Sequence, residues 1–134
     1  MYRWVEHTGE LELEITAGSE RAVFSEGLAA LGELLAERAA GETERRELVH
    51  EVSVSAPDRA TLLAEWLGEL AFLAETQGLV PERLDRLELS PNRLEAKVAG
   101  TRASPAHLVK GVTYHRLEMR RDGETWRARV ILDV

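Results

Sequence analysis

The chain has 134 residues, a length that predicts a single domain, 1–134, able to bury a hydrophobic core without disulfides. It contains no cysteine, which excludes a disulfide framework, a thiolate zinc site and a cysteine nucleophile. Its formal net charge of −7 disfavours stable direct binding of RNA or DNA, because that affinity comes largely from neutralising phosphates, and it favours a cation or a basic protein surface as the partner.

The first strand-like segment, residues 2–16, carries an acidic face. It is divided at residues 7–10, after which apolar residues alternate strictly with glutamates. Glu10, Glu12 and Glu14 therefore share one face of a half-buried strand, and the apolar residues occupy the other face. Such an acidic face could hold a binding site, and an ordinary solvated face is the alternative.

Two helices separated by a strand are predicted next. The first helix begins after Ser19, a typical N-cap residue, and Gly41 is expected to end it. A strand follows at residues 44–56. The second helix begins after Asp58 and ends at residues 77–78, and its wide apolar face predicts that it packs flat on a sheet.

The second half of the chain predicts four strands. An Asp-Gly turn within residues 121–124 joins the last two of them as a hairpin. The four predicted strands cover residues 79–89, 94–100, 110–119 and 126–134.

The order of these elements predicts an α+β fold in which two helices pack on one face of a largely antiparallel β-sheet. The start of the chain lacks an apolar run typical of a signal peptide, and no stretch approaches the length needed to span a membrane. We therefore expect a cytoplasmic protein without membrane association.

Carboxylates at the two ends of the chain form the first candidate site. Glu10 lies on the polar side of the first strand and Asp133 on the polar side of the last, followed by the terminal carboxylate of Val134. If these strands are neighbours, the oxygens converge in a cluster that suits a hard cation such as Ca²⁺ or Mg²⁺. The alternative is that the acids are exposed and paired with Arg127 or Arg129.

Two histidines could extend this cluster into a catalytic site. His7 and His115, together with Glu10 and Asp133, would suit a metal-dependent hydrolase or general acid–base chemistry. The sequence contains no HExxH motif, nucleophile elbow or phosphate-binding glycine-rich loop, and nothing in it resembles a catalytic triad. A chaperone-like binding module with a structural ion is a third possibility.

Short motifs, in order along essentially the whole chain, resemble those of the archease family. The run at residues 110–115 is the most specific of them. The motifs are residues 6–10 (EHTGE), 66–70 (WLGEL), 76–78 (TQG), 110–115 (KGVTYH) and 132–134 (LDV).

The resemblance implies an archease-like α+β protein that is not an enzyme and has no catalytic residues. Archeases are protein cofactors of the GTP-dependent RNA-splicing ligase, which joins RNA ends in tRNA splicing. They promote guanylylation of the ligase and its multiple turnover. An acidic surface could approach a basic RNA ligase.

The resemblance also implies a bound divalent cation, most often Ca²⁺, with Mg²⁺ and Mn²⁺ as alternatives. Its ligands are implied to be Glu10, Asp133 and Val134. The implied candidates for activating the partner ligase are Lys110, Thr113, Tyr114, His115 and His7. The sequence departs from the family pattern at Glu6 and Glu10, where Asp is usual, and at Arg116, where the residue is commonly acidic.

Overall fold

The structure is a computed structural model that describes residues 1–38, 44–103 and 109–134. Its elements follow the predicted order, and the predicted first segment, residues 2–16, forms two strands before the first helix. The elements are β1 (Tyr2–His7), β2 (Glu10–Ala17), α1 (Glu20–Arg38), β3 (Glu44–Ser55), α2 (Arg59–Gln77), β4 (Leu79–Ser90), β5 (Arg93–Arg102), β6 (Gly111–Asp122) and β7 (Thr125–Asp133). The α+β class with two helices is confirmed. The predicted helix stop at Gly41 lies outside the described residues.

The strands form two sheets instead of the single sheet predicted. One sheet has four strands in the order β1-β2-β7-β6, and the other has three in the order β3-β5-β4. Every pairing is antiparallel. Alternating patterns show which residues of a strand share a face, but they do not show which strands pair, so the division could not be predicted from periodicity.

Both helices contact strands of both sheets. Helix α1 begins after Ser19, whose Oγ accepts the N–H of Ala22 at 3.1 Å. Helix α2 begins after Asp58, whose carboxylate accepts the N–H of Thr61 at 2.8 Å, and it ends at Gly78 in the left-handed conformation. These contacts confirm the predicted caps, which satisfy polar groups that a helix end leaves unpaired. Among the described residues, no helix is long and apolar enough to cross a membrane.

The core lies on the inner faces of the two sheets, around the helices. Trp66 of α2 is fully buried, and its indole Nε1–H donates to the carbonyl of Phe24 in α1 at 3.0 Å. The four-stranded sheet presents one apolar face to this core. Its most buried members there are Leu11, Leu13, Ile15, Val130 and Leu132. The glutamates of β2 therefore lie on the opposite, outer face of the sheet, as the alternation predicts.

Candidate metal site

The two ends of the chain meet at one end of the four-stranded sheet. Glu10 stands directly opposite Asp133 in the β2–β7 pairing. His7 stands opposite Glu10 on β1, and Gly111 stands opposite Asp133 on β6. Directly opposed residues project to the same face of a sheet, so these positions form one row across all four strands.

Backbone hydrogen bonds hold the last residues of the chain in this row. The N–H of Val134 donates to the carbonyl of Gly9 at 3.3 Å, and the N–H of Lys110 donates to the carbonyl of Asp133 at 2.7 Å. Val134 is half-buried and Asp133 is exposed. The three positions predicted to bind a cation, Glu10, Asp133 and Val134, are therefore neighbours.

The arginines that could have neutralised these acids have other partners. Arg127 pairs with Asp122 at 3.1 Å, and Arg129 pairs with Glu118 at 2.9 Å. Within the described parts of the chain, the ion pairs include neither Glu10 nor Asp133. The arrangement thus offers carboxylate oxygens, the donors that hard divalent cations prefer.

The four residues of the hydrolase alternative do not come together as a metal-binding group. His7 directs its Nε2 to Oε1 of Glu12, 3.5 Å away. His115 belongs to β6, where its backbone N–H donates to Oγ1 of Thr113 at 3.0 Å. Over residues 1–38, 44–103 and 109–134, no three His, Cys, Asp or Glu side chains lie close enough to hold a metal ion. A third ligand beside Glu10 and Asp133 would have to come from elsewhere, such as Val134.

The candidate partner-activating residues divide between two places. His7 and Lys110 are exposed and lie next to Glu10 and Asp133 at the end of the sheet. Tyr114 instead reaches helix α2, where its hydroxyl donates to the carboxylate of Glu65. This hydrogen bond, together with partial burial and the negative charge of Glu65, raises the pKa of Tyr114. Thr113 and His115 flank Tyr114 on β6.

Glu12 is a residue of this face whose burial sequence reasoning missed. It is only 4% exposed, and its Oε1 has no hydrogen-bond partner within the described residues. The alternation of β2 placed Glu12 on the polar face but could not show what covers it. The sequence of β7 contains a signal of this burial. Ile131 is a buried apolar residue on the otherwise polar face of β7, and it stands directly opposite Glu12.

The fold and the site define an α+β protein with two antiparallel sheets and an acidic pair at one sheet end. The model of the archease protein family matches residues 2–134, and the chain belongs to the archease family. The archease of Methanosarcina mazei is 29% identical over 144 residues, which cover 99% of this chain and 95% of that protein. The archease of Thermotoga maritima is 25% identical over 133 residues, which cover 99% of both chains.

Solved structures show the same fold. A protein from Methanobacterium thermoautotrophicum superposes with a TM-score of 0.67 at 21% identity, over 99% of this chain and 98% of that one. An archease from Thermotoga maritima, described as a possible chaperone, superposes with a TM-score of 0.63 at 21% identity, over 100% and 98%. At this identity the likeness establishes the fold alone.

Proposed function

We propose that this protein is a non-catalytic cofactor of a GTP-dependent RNA-splicing ligase. In this role it promotes guanylylation of the ligase and its multiple turnover in tRNA splicing. Membership of the archease family supports the proposal. The description of the Thermotoga maritima relative as a possible chaperone also fits a protein that acts on another protein.

A divalent cation, most often Ca²⁺, is part of the proposal. The observation that carries it is the direct opposition of Glu10 and Asp133, with Val134 bonded to the backbone beside them. The two side-chain carboxylates would hold the cation, with Val134 as the third ligand. The cation would supply positive charge that offsets the two acids held on one face of the sheet.

The other groups of the row would meet the partner. His7 and Lys110 are exposed beside the acid pair, so a protein that approaches this end of the sheet contacts them first. The net charge of −7 favours approach to a basic surface, such as that of an RNA ligase. These residues would orient the partner and would not carry out chemistry themselves.

The test is a reconstituted assay of ligase guanylylation with GTP and the ligase of the same organism. The wild-type protein is expected to accelerate guanylylation, and Asp133→Ala is expected to lose most of that effect. Glu124→Gln is the matched control, because Glu124 is an exposed acid in the turn of the same β6–β7 hairpin, at the opposite end of the sheet from Asp133.

Failure of the wild-type protein to stimulate its cognate ligase would contradict the proposal. Binding of unfolded client proteins that is indifferent to ligase and nucleotide would instead favour a chaperone-like module. Equal loss of stimulation in Asp133→Ala and Glu124→Gln would show that overall charge matters and the proposed site does not.

A further inference from the structure

Strand β6 contains a large bulge at residues 114–117. Thr113 pairs with Ile131 of β7, and the next pair along is Glu118 with Arg129. Four residues of β6 therefore stand opposite the single residue Val130. We call residues 114–117 the β6 bulge. Bulges redirect side chains away from the regular alternation of a strand.

Arg116 occupies an unfavourable backbone conformation within this bulge. Its φ of +58° lies in the left-handed region, and among the described residues it is the one residue other than glycine with a positive φ. A residue with a side chain stays in that region only when the surrounding contacts stabilise it. One such contact is on the backbone, where Nε–H of Arg129 donates to the carbonyl of Arg116 at 3.0 Å.

The second contact of Arg116 is with the buried acid Glu12. Its Nη1 lies 3.6 Å from Oε1 of Glu12, and the Arg116 side chain is half exposed. Glu12 itself stands between Val5 on β1 and the buried Ile131 on β7, which offer it no polar group from their side chains. A buried carboxylate needs a polar or oppositely charged group nearby, and among the described residues Glu12 pairs with His7 and with the positively charged Arg116.

We propose that Glu12 is the positioning residue of the β6 bulge. Its buried carboxylate attracts the guanidinium of Arg116, keeps Arg116 in the left-handed conformation and so determines where Tyr114 and His115 leave the strand. Glu12 also contacts His7 in the row of the candidate metal site, so one acid links that site to the bulge. A role of the β6 bulge in contacting the partner ligase rests on the proposed function, whereas the positioning of the bulge by Glu12 does not.

Hydrogen exchange tests the positioning without any partner. In Glu12→Gln, the amides of residues 114–117 are expected to exchange roughly tenfold faster, because the bulge opens locally when its anchor is lost. The His115 amide, which is bonded to Thr113, is a direct reporter. The urea midpoint is expected to stay close to that of the wild type, because glutamine removes the cost of burying a charge.

Three further variants separate this role from a general one. Glu124→Gln is the matched control, since Glu124 is an exposed acid in the turn of the same β6–β7 hairpin, away from the bulge. Arg116→Gly removes the guanidinium that Glu12 attracts, and it is expected to speed exchange as much as Glu12→Gln does. Glycine adopts the left-handed conformation readily, so the faster exchange would not come from backbone strain. Arg116→Lys keeps the charge and is expected to stay within about threefold of the wild type. Unchanged exchange at residues 114–117 in Glu12→Gln, or an equal rise in Glu124→Gln, would overturn the positioning role.

Ligase stimulation then tests what the bulge does. At full occupancy of the cation, Glu12→Gln is expected to lower ligase stimulation about tenfold. The reason is that a bulge without its anchor contacts the partner less well. Faster exchange with unchanged stimulation would overturn the link between the bulge and the ligase. If the wild-type protein stimulates no ligase, the proposed function fails, and the exchange data still decide the role of Glu12.

Discussion

Glu10 and Asp133 stand directly opposite each other in the β2–β7 pairing, although 122 residues separate them in the chain. Two like charges at opposed positions on one face of a sheet repel each other. The structure therefore contains an arrangement that is unfavourable by itself and becomes favourable when a cation lies between the carboxylates. If the carboxylates share a cation, as we propose, the effect of Asp133 on stability should change sign with calcium.

We expect Asp133→Asn to stabilise the protein slightly in the presence of a chelator, by roughly 0.2–1 kcal/mol, because it removes the repulsion with Glu10. In Ca²⁺ at about 100 times the dissociation constant, the wild-type protein gains about 2.7 kcal/mol and the variant does not, so the order reverses. Urea unfolding under both conditions measures this. The same order in both conditions would contradict a shared cation, and Glu124→Gln should show no such reversal.

The surroundings of two glycines in α1 predict opposite effects of an alanine substitution on stability. A Cβ at Gly32 would collide with the backbone carbonyl of Pro81 in β4, whereas a Cβ at Gly27 would lie 3.2 Å from Cδ2 of Leu67, a side-chain end that can move. Alanine favours a helix by about 1 kcal/mol over glycine, and overpacking costs roughly 1–3 kcal/mol.

We therefore expect Gly32→Ala to lower the free energy of unfolding and Gly27→Ala to leave it nearly unchanged or raise it. Chemical denaturation of both variants measures the difference. Equal behaviour of the two would show that α1 does not pack on β4 as described.

The cap of α2 predicts a pH dependence of stability. Hydrogen bonds from Thr61 lower the pKa of Asp58 below its usual value. Because the folded pKa is the lower one, the stability that Asp58 contributes is present above the unfolded pKa of about 4 and is lost as the pH falls through the folded pKa. Asparagine caps a helix without titrating.

The difference in urea midpoint between the wild type and Asp58→Asn should therefore shrink or change sign between about pH 6 and about pH 3. Asp58→Ala, which removes the cap, should lower the midpoint at every pH in that range where the protein folds. A constant difference between wild type and Asp58→Asn would rule out this role for the carboxylate.

The secondary structure followed from local patterns. Alternation predicted the inner and outer faces of β2 and β7, and Asp58 and Ser19 were identifiable as caps from their residue type and position. Pairing between β2 and β7 could not be derived in this way, because it joins the two ends of the chain and depends on the core between them. The resemblance to archeases implied that these two strands lie side by side, because the cation ligands it implies come from both ends of the chain.

The β6 bulge and the burial of Glu12 were not predictable from periodicity. Residues 110–119 form a continuous run of strand-forming residues, and nothing in their spacing indicates that four of them face a single residue of β7. The neighbours of the buried Glu12 include Arg116 and Ile131, which are distant from it in sequence. Three-dimensional contacts therefore decided both features.

Calorimetric titration with Ca²⁺ tests the central claim, that the acids opposed at the end of the sheet share a cation. We predict that the wild-type protein binds one ion per chain, that Glu10→Gln and Asp133→Asn each lose this binding, and that Glu124→Gln retains it. Calcium binding that persists unchanged in both Glu10→Gln and Asp133→Asn would contradict the account.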